Sequence, residues 1–127
     1  MKAVGIDAIE IERIAGTLAR HGERFVEKVY TEAERDLAAG RGHPTEGRAE
    51  FLAGRFAAKE AVLKVLGTGW AMGLGFQDVE ILRDPSGRPH VVLHGPAADL
   101  AKSLGFGRIL VSITHTRRTA LAVAAAD

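Results

Sequence analysis

The feature that most constrains the fold is one long helical pattern in a chain whose other patterns are all short. Over residues 48–66 the apolar side chains recur at helical spacing, and Gly67 follows the last of them as a helix-terminating residue. The members of this apolar stripe are Leu52, Phe56, Leu63 and Leu66. We therefore expect a single domain of residues 1–127 in which antiparallel strands pack on this helix.

Short elements are predicted before the long helix. Thr31 followed by Glu34 has the spacing of a capping box, which predicts that a helix begins there. Gly22 is a typical stop for an earlier helix, and residues 40–47 are the most loop-like stretch of the chain. The predicted elements are a strand over residues 2–6 that ends at Asp7, and helices over about residues 9–21, 23–29 and 31–39.

Alternating patterns after the long helix predict two antiparallel hairpins separated by a short helix. The sequence DPSG at residues 84–87 is typical of a turn, and the polar HTRRT segment separates the last two strands. The predicted strands cover residues 76–84, 88–94, 108–115 and 119–126, and Pro96 opens a helix that ends near Leu104. This order of elements favours an α+β domain over a wound parallel sheet.

Composition and motifs exclude several classes of function. The net charge of +1 gives no support to nucleic-acid binding. The chain has no cysteine, which excludes disulfides and thiolate metal sites and agrees with a cytoplasmic location. No secretory signal opens it, and no apolar run approaches the roughly 20 residues of a membrane-spanning helix. Walker A, GxGxxG and GxSxG motifs and the HxH and HExxH zinc spacings are absent.

Glu60 is the most unusual residue of the long helix. At about 100° per residue it lies about 40° from Phe56 and about 60° from Leu63, so it points into the apolar stripe. A buried carboxylate is costly unless a partner or a metal ion neutralises it. Lys64, four residues later, offers an ordinary helical ion pair worth about 0.2–0.5 kcal/mol. The ion pair and a cation site both remain open at this point.

Asp7 also has two interpretations. It follows a short apolar strand and precedes a helix, so it can cap that helix at its N-terminus. Alternatively it pairs with Glu60 around a hard cation, because magnesium takes one or two carboxylates together with phosphate and water oxygens. Two carboxylates with Lys64 nearby suit a pyrophosphate site.

Three further segments have a structural and a functional interpretation. Residues 67–69, GTG, are either a helix-terminating turn or a bare turn that lets phosphate reach the main chain. His115 is either a structural residue at a strand end or a group that handles phosphate or protons. A stripe of arginines on one face of a continuous helical stretch is either solvated surface or the docking site of an acidic partner helix. These arginines are Arg13, Arg20 and Arg24.

Four segments together resemble the holo-acyl-carrier-protein synthase family of small 4′-phosphopantetheinyl transferases. They are GIDAIEIERI (5–14), FLAGRFAAKEAVLKVLGTG (51–69), FQDVEILRDPSGRP (76–89) and VSITHT (111–116), in the order of the family. The resemblance implies that the chain transfers phosphopantetheine from coenzyme A to a serine of an acyl carrier protein, with release of 3′,5′-ADP. It also implies a magnesium ion and a homotrimer with active sites at the subunit interfaces.

The resemblance further implies roles for individual residues. Asp7 and Glu60 would be the magnesium ligands, and Lys64 would complete the catalytic set. The cofactor pocket would be formed by Arg55, Lys64, Gly67, Thr68, Gly69, His115 and Thr116. The acidic carrier protein would be bound by Arg13, Arg20, Arg24 and Phe25.

Two other functions remain as alternatives. One is a different magnesium-dependent nucleotide or phosphate enzyme that acts without a carrier protein. The other is a non-catalytic oligomeric binding module in which Glu60 and Lys64 form a structural pair. Thermal stabilisation by coenzyme A with and without magnesium separates them, because a ligand of the native state raises the apparent stability.

Overall fold

Antiparallel strands and short helices surround one long helix in the structure, a computed structural model that describes residues 1–40, 46–69 and 73–127. The described elements confirm the predicted α+β class. A 3₁₀ turn, Phe76–Asp78, precedes the second strand. In chain order the elements are β1 (Ala3–Glu10), α1 (Ile11–His21), α2 (Glu23–Val29), α3 (Glu32–Ala39), α4 (Glu46–Leu66), β2 (Val79–Arg83), β3 (Pro89–Leu93), α5 (Gly95–Ser103), β4 (Ile109–His115) and β5 (Thr119–Ala126).

The main sheet has the strand order β1–β5–β4, and both pairings are antiparallel. The predicted hairpins are confirmed, because β4 pairs with β5 and β2 pairs with β3 in a second, two-stranded sheet. One face of β5 consists of buried alanines, and their small side chains let α4 lie close to the sheet. These residues are Ala120, Ala122, Ala124 and Ala126.

Helix α4 is the centre of the molecule, with β1, β4 and β5 on one side and α1, α3 and β2 on others. The predicted apolar stripe is present, but burial extends beyond it because the helix is covered on several sides. Small residues provide most of this additional buried surface. They are Ala53, Ala57, Ala58 and Ala61, together with Gly54.

Gly5 brings β1 against α4. A Cβ atom placed on Gly5 would lie 2.3 Å from the carbonyl oxygen of Ala61 and 2.9 Å from Cβ of Lys64. Because no real Cβ makes such contacts, only glycine permits this approach of strand to helix. Asp7 lies two residues later on the same face of the strand, so the close approach also places Asp7 beside α4.

The first strand is longer than predicted. The prediction that it ends at Asp7 is wrong, because β1 pairs with β5 from Ala3 to Glu10 and Asp7 lies opposite Ala122 within that ladder. The N-cap interpretation of Asp7 is also wrong, since α1 begins at Ile11 and its N-cap residue is Glu10. An eight-residue partner strand extends the pairing past the point where the sequence pattern turns helical.

Other boundaries differ by a few residues or lie outside the described ranges. Residues 76–78 were predicted as strand but form the 3₁₀ turn, whose Asp78 side chain accepts a hydrogen bond from the Gly75 N–H at 2.8 Å. Helix α4 begins at Glu46, two residues earlier than predicted. Most of the predicted loop over residues 40–47 lies outside the described residues.

Local capping signals are confirmed. The Thr31 hydroxyl accepts from the Glu34 N–H at 3.2 Å, and the Glu34 carboxylate accepts from the Thr31 N–H at 2.8 Å. Gly67 ends α4 with φ +83°, a conformation that favours glycine. Within the described ranges, no helix is both long and apolar enough to cross a membrane.

Candidate active site

Asp7 and Glu60, more than fifty residues apart in the chain, line one open pocket of about 330 Å³. Strand β1 supplies Asp7 and helix α4 supplies Glu60. We call this cavity the Asp7 pocket. Its other lining residues are Ala8, Ile9, Arg13, Ile14, Thr17, Phe25 and Phe56. The fold therefore brings together the two carboxylates that the sequence singled out.

Lys64 joins the helix to the strand at the edge of this pocket. Its Nζ lies 3.2 Å from Oδ1 of Asp7 and donates a hydrogen bond to the carbonyl oxygen of Ile6 at 2.8 Å. The Lys64 side chain is 54% exposed and the Asp7 side chain 19% exposed, so water and ligands can reach the pair. An accessible ammonium group thus lies beside one of the two pocket carboxylates.

The donor set of the Asp7 pocket fits magnesium. Magnesium is usually bound through one or two carboxylates, with phosphate and water oxygens completing its octahedron. Asp7 and Glu60 supply two carboxylates on one open cavity. In the part of the chain that the structure describes, no group of three His, Cys, Asp or Glu side chains could hold a metal ion. The two carboxylates leave the other coordination positions of such a cation to water or ligand oxygens.

The turn after α4 is built by backbone conformation. Gly67 and Gly69 have φ values of +83° and +57°, and a Cβ atom at either position would meet no atom within 4 Å. The two glycines therefore serve the turn itself rather than making space. Thr68 donates from its hydroxyl to the Gly69 carbonyl at 3.1 Å. This turn directly follows the last turn of α4, which carries Lys64.

Arg55 and His115 line a different cavity, of about 340 Å³, which we call the Arg55 pocket. Arg55 and Glu60 are five residues apart on α4, which places their side chains about 140° apart around the helix. One chain therefore does not bring Arg55 and His115 to Asp7 and Glu60. The remaining lining residues of the Arg55 pocket are Gly47, Glu50, Phe51, Gly54, Arg83, Gly87, Pro89 and Ile113.

Arg55 and His115 each have contacts within the chain. The buried Arg55 guanidinium lies 4.2 Å from the centroid of the Phe51 ring and donates to the Leu82 carbonyl at 3.4 Å. The exposed His115 has Nδ1 at 3.0 Å from the Thr116 carbonyl oxygen. The Thr116 hydroxyl accepts from the main-chain N–H groups of Arg118 and Thr119, so it shapes the β4–β5 turn.

The predicted arginine stripe is divided between two helices. Gly22 adopts φ +56° and ψ −137° between α1 and α2, which confirms it as a helix stop and means that the three arginines do not lie on one continuous helical stretch. Arg13 and Phe25 line the Asp7 pocket, whereas Arg20 and Arg24 are exposed. The structure therefore places two of these four side chains at the pocket and the other two on the exposed surface of α1 and α2.

A buried cluster behind the Asp7 pocket was missed by the sequence interpretation. The fully buried Lys59 ammonium donates to Oε1 of Glu34 at 2.8 Å, to the Phe76 carbonyl at 3.0 Å and to the Val79 carbonyl. We call Glu34, Lys59 and the main chain of residues 76–81 the buried network. A signal existed, because Lys59 lies about 60° from Phe56 and about 40° from Leu63 around the helix. Lys59 points into the apolar stripe more directly than Glu60, which lies at the Phe56 edge of the stripe.

Burial shifts the pKa values in and around this network. Desolvation lowers the pKa of the Lys59 ammonium, although the Glu34 carboxylate opposes that shift. Desolvation also raises the pKa of Tyr30 well above its ordinary value, with the charge of Glu34 adding to the effect. For Glu80, burial raises the pKa, but contacts with Thr31, His94 and Lys59 outweigh it and leave the pKa lowered.

Comparison with known proteins gives consistent matches. Residues 3–124 match the sequence model of a family described as the 4′-phosphopantetheinyl transferase superfamily. A holo-[acyl-carrier-protein] synthase of Maridesulfovibrio salexigens is 46% identical, covering 94% of this chain and 93% of the relative. The one of Solidesulfovibrio magneticus is 47% identical, covering 97% of this chain and 95% of the relative. The crystal structure of the Helicobacter pylori holo-[acyl-carrier-protein] synthase in complex with coenzyme A has a TM-score of 0.83 at 27% identity, with 98% and 99% of the two chains covered.

Proposed function

Because this chain belongs to the 4′-phosphopantetheinyl transferase superfamily, we propose that its reaction takes place in the Asp7 pocket. That reaction is the transfer of phosphopantetheine from coenzyme A to an apo-acyl carrier protein. The observation that carries the proposal is the meeting of Asp7 and Glu60 on one cavity, with the Lys64 ammonium 3.2 Å from Asp7. Carboxylates and an accessible cation are the groups that phosphoryl-type transfer needs.

The chain's own residues have distinct roles in this proposal. Asp7 and Glu60 would hold a magnesium ion, which when bound neutralises charge on the phosphate oxygens. Lys64 binds the diphosphate from the open side of the pocket, since its ammonium is accessible to solvent. The carrier-protein serine oxygen bonds to the β-phosphorus of coenzyme A, and the bond from that phosphorus to the oxygen of 3′,5′-ADP breaks. The serine proton passes to a pocket carboxylate or to water.

The acidic carrier protein docks beside the same pocket. Arg13 and Phe25 line the pocket, and Arg20 and Arg24 offer exposed positive charge on α1 and α2, the helices that carry Arg13 and Phe25. Such charges speed the encounter with an acidic partner and make it dependent on ionic strength. This arrangement directs the serine of the carrier protein towards Asp7 and Glu60.

The cofactor site is completed by a second copy of the chain in a homotrimer. The face of the main sheet opposite α4 carries exposed large apolar residues, with Val4 and Ile6 60% and 61% exposed, an arrangement typical of a protein interface. Leu110 and Val123 continue this face. In this assembly the Arg55 pocket of one copy, with His115 and the neighbouring Thr116, faces the Asp7 pocket and the turn Gly67–Gly69 of the next copy. Each active site is then shared by two subunits.

Intact mass measurement tests the reaction. Incubation of an apo-acyl carrier protein with this protein, coenzyme A and magnesium should add one phosphopantetheine unit, and a chelator should prevent the addition. A carrier protein with alanine at the acceptor serine is the matched control. No mass gain with several carrier proteins, in a sample shown to be folded, would contradict the proposal and favour the binding-module alternative.

Complementation tests the shared site. Glu60→Gln and His115→Ala should each lower activity, while co-refolding the two variants should restore part of it because some interfaces then contain both intact halves. Mixed samples that stay as inactive as the separate variants, although native mass spectrometry shows mixed trimers, would place the whole site within one chain. Monomers at working concentration would contradict the assembly itself.

A further inference from the structure

The main chain of residues 76–79 is fixed by the buried network. All three N–H donors of the Lys59 ammonium are directed at acceptors, namely Glu34, the Phe76 carbonyl and the Val79 carbonyl. The Glu34 carboxylate in turn accepts from the Ile81 N–H at 2.9 Å. Lys59 of α4 therefore holds the first residue of the 3₁₀ turn and the first residue of β2 through a fully buried ammonium group.

The same turn is tied to α2 on its other side. The Gln77 amide donates to the Glu27 carbonyl at 2.6 Å and to the Tyr30 carbonyl at 3.0 Å, both at the C-terminal end of α2. The 3₁₀ turn thus connects α4, which carries Glu60, to α2, which carries Phe25. It is a rigid link between two walls of the Asp7 pocket.

The turn carries an aromatic ring that supports the pocket. The Phe76 ring stacks on Phe56, with centroids 5.7 Å apart and an interplanar angle of 30°. Phe56 itself lines the Asp7 pocket together with Glu60, one helical turn further along α4. A shift of the turn would therefore move Phe76 away from Phe56 and change the shape of the pocket.

We infer that Lys59 is a positioning residue for phosphopantetheine transfer: by holding the carbonyls of Phe76 and Val79, its ammonium keeps Phe76 stacked on Phe56 and so fixes the aromatic wall of the pocket. This inference rests on the assignment of the transfer to the Asp7 pocket. Lys59 touches neither the pocket nor the reacting groups, so it acts through the turn.

Stability alone gives a poor reason for this network. Replacing a buried ion pair by apolar residues of similar volume is often neutral or stabilising, because the desolvation of two charges offsets their attraction. What an apolar pair cannot supply is a set of donors directed at the carbonyls of residues 76 and 79. Transfer depends on the placement of reacting groups, and a displacement of about 1 Å can lower a rate about 100-fold.

The test uses a double variant that removes the donors without leaving a buried charge. Lys59→Met with Glu34→Gln should lower kcat about tenfold or more, with a smaller change in KM for coenzyme A and carrier protein. Ile81→Val is the matched control, because it removes a buried methyl group from β2 but keeps every hydrogen bond of the network. At a temperature where both proteins are folded, the control should keep kcat within about twofold of the unmodified protein.

A spectroscopic measurement follows the aromatic wall without turnover. The chain contains five phenylalanines, so labelling with 4-fluorophenylalanine gives five fluorine signals that single Phe→Leu variants assign. The signals of Phe56 and Phe76 should move in the double variant but not in Ile81→Val. Phe106, which lines a separate cavity between β3, α5 and β4, should keep its position in both.

Chemical rescue covers the case in which the double variant does not fold. Since the chain lacks cysteine, Lys59→Cys carries a unique thiol that can be alkylated in the unfolded protein before refolding. Aminoethylation restores an ammonium group at the reach of lysine, and ethylation gives the neutral control. The aminoethylated protein should recover kcat and the Phe56 and Phe76 signals, and the ethylated protein should recover neither.

Two results obtained with the double variant would overturn the inference. One is a folded double variant with unchanged kcat, and the other is loss of kcat with Phe56 and Phe76 signals that do not move. Equal recovery of kcat by Lys59→Cys after aminoethylation and after ethylation would also overturn the inference. Failure of the site assignment is distinguishable, because it would show as a fully active Glu60→Gln protein while the fluorine signals still respond to Lys59.

Discussion

Two clusters of charged residues on α4 lie side by side in opposite environments. In the buried network, Lys59 pairs with Glu34 and both side chains are 0% exposed. At the edge of the Asp7 pocket, Lys64 pairs with Asp7 at 3.2 Å and both side chains remain in contact with solvent. The same residue types, a lysine and a carboxylate, thus occur once as a closed contact and once as an open one.

Burial, and not residue type, separates the supporting cluster from the one that we propose for the chemistry, the chemical cluster. Every donor of the Lys59 ammonium is directed at a protein acceptor, so no ligand can compete for it. Lys64 can exchange its contact with Asp7 for a phosphate or a water molecule, because the pair is open. The first cluster is therefore closed to ligands, and the second can exchange its contacts for those of a ligand.

The largest expected loss of unfolding free energy follows removal of the buried cation. Lys59→Met leaves the Glu34 carboxylate buried without its ammonium partner, which should cost about 3–5 kcal/mol. Urea unfolding followed by circular dichroism measures this cost. Adding Glu34→Gln to the same protein should restore part of the stability, since the uncompensated charge is then removed. A loss below about 1 kcal/mol would show that the pair behaves like a surface pair.

Sequence alone could not identify the partners of the buried Lys59. Helical geometry places Lys59 between the directions of Leu52 and Leu66, inside the apolar stripe, and Glu60 about 40° beyond Phe56 at its edge. The groups that neutralise the Lys59 ammonium come from α3, which supplies Glu34, and from the turn that supplies the Phe76 and Val79 carbonyls. Those contacts lie 17 to 25 residues away in the chain, where no local pattern reports them.

Local signals were interpreted more successfully. The Thr31–Glu34 capping box, the glycine stops after α1 and α4 and the β4–β5 hairpin each depend on a few neighbouring residues, and the structure confirms them. The predicted end of β1 was wrong because the partner strand, more than a hundred residues later, sets the length of β1. The separation of Arg55 from the Asp7 pocket likewise follows from what packs around α4, and the sequence pattern does not contain it.

The next largest loss of stability is expected for a change that separates Asp7 on β1 from Lys64 on α4. Gly5→Ala places a Cβ atom 2.3 Å from the Ala61 carbonyl, so β1 must move away from α4 and should lose about 1–3 kcal/mol of stability. Asp7 would move with the strand, so activity should fall as well. Gly16→Ala in α1 is the matched control, because its Cβ meets only the flexible end of Arg20 and should not destabilise the helix. Equal stability of both variants would contradict this account of the close approach.

A smaller effect is expected for the open lysine. Lys64→Met removes the contacts with Asp7 and the Ile6 carbonyl, but the exposed pair should contribute less than about 1 kcal/mol. Lys59→Met and Lys64→Met make the same chemical change on the same helix. The difference between their losses of unfolding free energy therefore measures what burial adds. Activity should nevertheless fall with Lys64→Met. A stability loss as large as that of Lys59→Met would remove the contrast between the clusters.

The smallest effect on stability should accompany a large effect on the reaction. Glu60→Gln keeps the size of the side chain in a half-buried position, so the free energy of unfolding should change by no more than about 0.5 kcal/mol. If the Glu60 carboxylate contributes electrostatically to the transfer, kcat/KM should fall about 10²–10³-fold in this variant, because one electrostatic contact at the reacting centre is lost.

Phosphopantetheine transfer, assayed by intact mass over time, measures the rate, and Asp99→Asn on the exposed side of α5 provides an acid-to-amide control far from the pocket. Magnesium titration of both variants, followed by the unfolding temperature, separates loss of metal binding from loss of catalysis. An active Glu60→Gln protein would remove Glu60 from the chemical cluster. A strongly destabilised one would instead place Glu60 with Lys59 among the residues that support the fold.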